Sequence, residues 1–308
     1  MKTYAYFPGC RMAYFIPRYG RALRAVFDAL GVTLRDMDAT CCGFPSRHQS
    51  LEASALSAVD VLARAARMGY AIMTPCKCCF GHMKIIQASL RDDARLRRDV
   101  GALARRSGDR EALDAAMSAD CRHLLTVLAR DLGPEVIRKR STVSLSGLTV
   151  AAHYGCHALR PSDVTCFDDP IYPTVFETVL EAAGAACAPW PQRLECCGNP
   201  LWGKNDRLAL ALMHRKLDGA AASGADALAT ACTWCQMQFE GIRLDERPPG
   251  VVGTYSPKIP SVFLAELLGL AFGLAPEALC LCGDAAAMAL FSDHCQGGRD
   301  LPEILKHG

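Results

Sequence analysis

The sequence predicts an α/β protein of two pseudo-repeated units, each a small parallel sheet flanked by helices, with a helical insertion after the first. Three observations carry this expectation. The tract CCGFP at 41–45 returns as CCGNP at 196–200. Each copy lies between short strand-like runs and segments of helical period. Each half then closes on a Cys-x-x-Cys, Cys76 to Cys79 and Cys232 to Cys235. Strand–helix–strand alternation implies parallel pairing with right-handed crossovers.

The elements follow in matching order. TYAYFPGC ends at Cys10 and LTVAAHYGC ends at Cys156, each a short apolar run closing on Gly-Cys. RYGRALRAVFDALG follows the first, with Leu23, Val26, Phe27 and Leu30 on one helical face; YPTVFETVLEAAG follows the second, with Val175, Val179 and Leu180. Gly31 and Gly184 stop these helices. A short apolar segment leads into each Cys-Cys-Gly-x-Pro turn, and a second helix leaves it, SLEASALSAVDVLARAARMG in one half and NDRLALALMHRKLDGAAASG in the other. The third strands are YAIMTPC and ADALATAC. Residues 81–140 differ in kind: they are charged, helical in pattern and read as the insertion, their arginines interspersed with aspartates as on a solvated face. The first unit is therefore expected to span 1–147, and the second, with C-terminal helices, 148–308.

Composition narrows the class. The 308 residues are 51% hydrophobic, enough for one large core or two ordinary ones, and the net charge of +2 gives no long-range field favouring nucleic acid or anionic lipid. MKTYAYFPGC holds no apolar leader, so a cytoplasmic location is expected. The longest greasy run, SVFLAELLGLAFGLA, is broken by Glu266 and is shorter than the ~20 residues a membrane span needs, so it reads as a buried helix. Seventeen cysteines stand out. In a long chain with ample core and no export signal they point to metal or redox chemistry rather than to disulfides.

Parallel strands end on one sheet edge, where such folds place their sites. Cys10, Cys41, Cys42, Cys76 and Cys79 all follow strand ends, as do Cys156, Cys196, Cys197, Cys232 and Cys235. A cage of soft thiolates selects zinc or iron–sulfur clusters. Zinc takes four ligands and an ordinary cubane four thiolates, whereas each unit offers five in matching places. Gly43 and Gly198 let the backbone turn so that neighbouring thiols face one cofactor, and Pro45 and Pro200 fix the exit into the next helix.

Thirty residues separate Cys10 from Cys41 and thirty-three Cys42 from Cys76; thirty-nine separate Cys156 from Cys196 and thirty-four Cys197 from Cys232. With YFPGC, CCGFP, TPCKCC, HLLTVL, HYGCHALRP, CCGNPL, CQMQF and LLGLAFGL in register, the chain resembles the double CCG-domain family, and within it the heterodisulfide reductase B subunits. The resemblance covers nearly the whole chain. It implies two non-cubane 4Fe-4S clusters, each held by the five cysteines of one unit, facing each other across a cavity where a disulfide or persulfide, protein-bound or free, is cleaved or made. It also implies partner subunits carrying flavin and ferredoxin-type clusters, since neither a ferredoxin run nor a Gly-x-Gly-x-x-Gly fingerprint occurs in this sequence. The Ala- and Arg-rich composition hints at a GC-rich bacterium rather than a methanogen, so a sulfur-oxidising complex acting on a bound persulfide or disulfide is expected over one acting on coenzyme M and coenzyme B.

The sequence leaves alternatives open. Cys78, inside CKCC, is an alternative ligand in the first unit. The same two units could relay electrons to quinone in a succinate dehydrogenase-type complex, with the helix from Ser261 to Leu274 touching the membrane. A structural zinc protein is a third reading. A thioredoxin-like exchange site would leave the Cys-Cys-Gly doublets unexplained. His153 and His157 flank Cys156, either bonded to cluster sulfur or as core histidines; Arg47, His48, Trp202 and Lys204 follow the doublets and could line the cavity. Cys121, Cys166, Cys187, Cys280, Cys282 and Cys295 lie outside the repeat and default to inert thiols, with Cys280, Cys282, His294 and Cys295 together a candidate zinc tail.

Overall fold

The computed structural model describes residues 2–39, 41–241, 259–281 and 289–290. The first half runs β1 (Thr3–Tyr6), α1 (Gly9–Phe15), α2 (Pro17–Ala29), β2 (Thr33–Asp36), α3 (Leu51–Met68), β3 (Ile72–Thr74), α4 (Lys77–Asp92), α5 (Ala94–Arg106), α6 (Ala112–Ser118), β4 (Cys121–His123), α7 (Leu124–Thr126) and α8 (Pro134–Arg140). The second runs β5 (Thr149–His153), α9 (Ser162–Thr165), α10 (Val175–Ala182), β6 (Ala186–Cys187), α11 (Asp206–Ala222), β7 (Ala227–Thr230), α12 (Thr233–Phe239), β8 (Ser261–Phe263), α13 (Leu264–Ala271) and α14 (Pro276–Leu279).

Two four-stranded sheets result, in the orders β2-β1-β3-β4 and β6-β5-β7-β8. Every pairing is parallel, with Thr3 opposite Thr33 and Ile72 opposite Cys121 in one sheet, and Val150 opposite Ala227 and Leu228 opposite Ser261 in the other. The α/β architecture and its duplication therefore match the sequence expectation. Each sheet, however, has a fourth strand that the sequence reading lacked. The segment 81–140 is largely helical, but β4 within it pairs with β3, so this stretch completes the first sheet instead of being a purely helical insertion.

Local chemistry explains the elements. On α2, Leu23, Val26 and Phe27 are buried together, each such side chain contributing roughly 1.5–3 kcal/mol on leaving water. Ser50 caps α3 through a 3.1 Å bond from Ala53 N, and Gly69 ends it in the left-handed region at φ 74°. Asn205 caps α11 through Leu208 N at 3.0 Å. The apolar run from 261 becomes β8 and α13, and every residue of α13 is buried. Glu266 belongs there because its carboxylate accepts from Phe263 N at 2.8 Å, satisfying an otherwise orphan donor at the helix start. No helix among the described residues is long and apolar enough to cross a membrane.

The halves share one core. Helices α13 and α14 cross over to pack on α2, the Tyr19 and Phe263 rings meet at 5.0 Å, and Arg18 pairs with Glu240 at 2.6 Å. On the other side α4 enters the second half. Gly81 lies so close to the His157 carbonyl that a Cβ there would overlap its oxygen.

Candidate metal centres

Both Cys-Cys-Gly turns have one geometry. Gly43 and Gly198 sit at φ 86° and 90°, which L side chains rarely adopt. A Cβ on Gly43 would overlap Ser54 O of α3, and one on Gly198 the Ala209 O of α11. With the backbone so turned, Gly43 N–H points at Cys41 Sγ and Gly198 N–H at Cys196 Sγ, both at 3.4 Å. A short 3-10 turn follows each, Phe44–Ser46 and Asn199–Leu201, with Pro45 and Pro200 in its first turn. The prolines thus set a 3-10 exit, and the long helices start only at Leu51 and Asp206.

The ten repeat cysteines assemble into two sulfur chains of identical order. In the first, Cys10 Sγ lies 3.9 Å from Cys41 Sγ; Cys41 contacts Cys42, Cys42 contacts Cys79, and Cys79 contacts Cys76. In the second, Cys156 contacts Cys196, Cys196 contacts Cys197, Cys197 contacts Cys235, and Cys235 contacts Cys232. Cys76 and Cys232 are the N-caps of α4 and α12.

Thiols so crowded cannot all ionise without a cation. Bonds from Cys10, Cys42 and Gly43 N–H pull Cys41 well below the ordinary thiol range, and its bond to Cys41 together with burial pushes Cys10 above it. Cys196 and Cys156 repeat the pattern for the same reasons. Metal ions would relieve this frustration, and donors of this type suit soft centres.

The two chains meet. Cys76, Cys78 and Cys232 place their sulfurs within 4.8 Å of one another, as do His153, Cys197 and Cys235 their ligand atoms. His153 is fully buried with no hydrogen-bond partner at either ring nitrogen among the described residues, and burial drives its pKa well below the usual value. His157 Nδ1 lies 3.4 Å from Cys156 Sγ and 3.6 Å from Cys78 Sγ. Two lysines that sequence reasoning missed are buried here. Lys77 donates to His153 O at 2.8 Å, and Lys216 to Gln192 O. Burial lowers both, Lys216 to about 8, while the thiols of Cys197 and Cys235 oppose the shift for Lys216.

Around the sites, Arg47 stacks on the Phe44 ring at 3.6 Å, and the charges of Arg47 and Lys204 lower the pKa of exposed His48. Trp202 Nε1 donates to Gln238 Oε1 at 2.6 Å. Cys121 is buried in β4, Cys166 is exposed, and Cys187 is half-buried in β6. Cys280 accepts from Arg21 Nε at 2.9 Å. None of these four has a place in either sulfur chain. Cys282, His294 and Cys295 lie outside the described residues.

Fold and sites together define a duplicated cysteine-rich protein, and the family model for the CCG cysteine-rich domain matches residues 4–84 and again 150–240. The chain belongs to the CCG family. Among its relatives, the 8-methylmenaquinol:fumarate reductase membrane anchor subunit of Wolinella succinogenes is 28% identical, over 90% of this chain and 95% of that one. Two others carry the name of the heterodisulfide reductase B subunits. That of the ferredoxin/F(420)H(2)-dependent CoB-CoM enzyme of Methanosarcina acetivorans is 29% identical, over 91% of this chain and 92% of that one. A protein of Archaeoglobus profundus, named as similar to these B subunits, is 28% identical, over 90% and 93%. Among solved structures, a hypothetical protein from Helicobacter pylori superposes with a TM-score of 0.65 at 13% identity, over 92% of this chain and 51% of that one. The chain thus spans about half of that structure, and the likeness concerns the fold alone.

Proposed function

We propose that this chain is the iron–sulfur subunit of a heterodisulfide-reductase-like complex, working on a disulfide or persulfide between two non-cubane 4Fe-4S clusters. The observation that carries the proposal is the pair of five-thiol chains of identical order, converging at Cys76 and Cys232. Cys10, Cys41, Cys42, Cys76 and Cys79 would hold one cluster; Cys156, Cys196, Cys197, Cys232 and Cys235 the other. The donor set fits: each chain exceeds by one what a tetrahedral zinc or ordinary cubane takes, and the Gly43 and Gly198 N–H groups are aimed at sulfur. The relatives named as heterodisulfide reductase B subunits support the same class.

When bound, the two clusters supply one electron each, so that RS–SR′ with two electrons and two protons gives RSH and R′SH. The chain's residues do the rest. His157 Nδ1, between Cys156 and Cys78, can hold a proton at the seam. The buried thiols of Cys42, Cys76, Cys79, Cys197, Cys232 and Cys235 keep the sites from bulk water. Two units, 1–147 and 148–308, each bring one cluster. Electrons arrive from flavin and ferredoxin-type subunits, in sulfur metabolism in the cytoplasm.

A second reading, electron transfer to quinone, is favoured by the similarity to the fumarate reductase membrane anchor subunit. Against it, α13, the segment that would meet the membrane, is buried throughout. To separate the two, the anaerobically reduced chain is mixed with a disulfide or with a menaquinone analogue. The proposal expects one disulfide cleaved to two thiols per reduced chain; oxidation by quinone alone would overturn it.

A further inference from the structure

Cys78 touches both sulfur chains, but the cavity that it lines is bounded by the thiols of the second. Cys78 sits in the first turn of α4 between Cys76 and Cys79, yet its sulfur lies within 4.8 Å of both Cys76 and Cys232. It also lines the small cavity bounded by Cys156, Cys196, Cys197, Cys232 and Cys235. Two thiolates on one tetrahedral metal with bonds of ~2.3 Å stand roughly 4 Å apart, so Cys78 is within reach of whatever Cys232 binds. The corresponding position of the second repeat, Trp234, also crosses the seam, but it brings a ring: its indole meets Phe44 at 5.4 Å and carries Arg11 at 4.6 Å. The two repeats therefore exchange unlike groups, a thiol in one direction and an indole in the other.

We propose that Cys78 is a sulfur donor to the second site, delivered across the seam by the first repeat, so that the second site has six thiols and the first has five. The proposal rests on the iron–sulfur reading above. It also gives the buried lysines a purpose. Lys77 and Lys216, whose hydrogen bonds go to backbone carbonyls, place two ammonium groups beside the second chain, where a sixth thiolate adds negative charge that has to be offset. Cys78 is thus not a substitute for Cys76 or Cys79, each of which keeps its own contacts in the first chain.

The test uses the full chain, purified anaerobically with its iron, and EPR and Mössbauer spectroscopy. Cys10→Ala and Cys156→Ala assign signals to the first and second sites. Cys78→Ser and Cys78→Ala are then expected to shift the spectrum and midpoint potential of the second-site cluster and to leave the first unmoved. Unchanged signals, or a change at the first site, overturn the proposal. Should either variant fail to fold, the wild-type spectrum decides: two inequivalent clusters are expected, and two identical ones contradict it. A wild-type chain without iron would overturn the iron–sulfur reading as well, whereas an iron-loaded chain with an indifferent Cys78 overturns this inference alone.

Discussion

Lys77, the first residue of α4, donates its buried ammonium at 2.8 Å to the carbonyl oxygen of His153, on β5 of the second half. The side chain is 1% exposed, a costly place for a cation unless negative charge lies near. The second sulfur chain supplies that charge, and Lys216 makes a similar approach beside Cys197 and Cys235. Removing either cation would make it harder to add an electron to the cluster proposed for the second site. A unit charge about 8 Å away at an effective dielectric of 20 is worth on the order of 2 kcal/mol, or about 90 mV for a one-electron couple. Lys77→Met and Lys216→Met should each lower the midpoint potential of the second-site cluster by several tens of millivolts, read by EPR-monitored titration. An unchanged potential would remove the electrostatic role.

The doublet glycines should be far less replaceable than glycines of similar backbone conformation elsewhere. Gly31, at φ 68°, has open space where a Cβ would go, while Gly43, at φ 86°, faces the Ser54 carbonyl. Gly31→Ala should cost about 1–2 kcal/mol for the left-handed backbone alone. Gly43→Ala adds a backbone clash worth about 1–3 kcal/mol more, and it turns the 42–44 peptide away from Cys41. Urea midpoints of the two variants check this. Equal losses would contradict it.

Acid should weaken the fold through buried histidine. His123 Nε2 meets Ala231 O at 3.0 Å while Nδ1 accepts from Leu125 N at 3.1 Å, so the neutral ring is satisfied on both sides and burial lowers its pKa to about 3. Its folded pKa lies below the unfolded value of ~6.5. The unfolded state therefore binds the extra proton between those values, and stability that is complete above about pH 6.5 is lost as pH falls toward 3. Chemical denaturation from pH 7 to 4.5 should show a steeper loss for the wild type than for His123→Gln, by up to about 1.4 kcal/mol per pH unit. Parallel profiles would exclude His123 as a cause.

Much of this was legible in the sequence because the cysteines mark the strand ends. Cys10 and Cys76 each close a short apolar run, and the doublet follows a strand too, so parallel topology brings these ends together and the convergence of the thiols needed no tertiary information. β4 and β8 were not legible. β4 is CRH within a charged stretch, and β8, SVF, opens an apolar run that reads as one helix. The direction of Cys78 depends on how α4 is rotated against the second half, a rotation fixed by Gly81 against the His157 carbonyl, and no local pattern encodes that. Lys77 and Lys216 look like ordinary surface lysines in sequence. Only the packed structure shows that they sit beside sulfur.

What the sulfur chains hold is asked most directly by iron and acid-labile sulfide analysis of the anaerobically purified full chain, joined to Mössbauer spectroscopy. About eight irons per chain in two clusters of four are expected, falling to about four in Cys42→Ala or in Cys197→Ala, each of which breaks one chain. A colourless protein with one zinc ion per half, or iron lost from both halves in both variants, would contradict it.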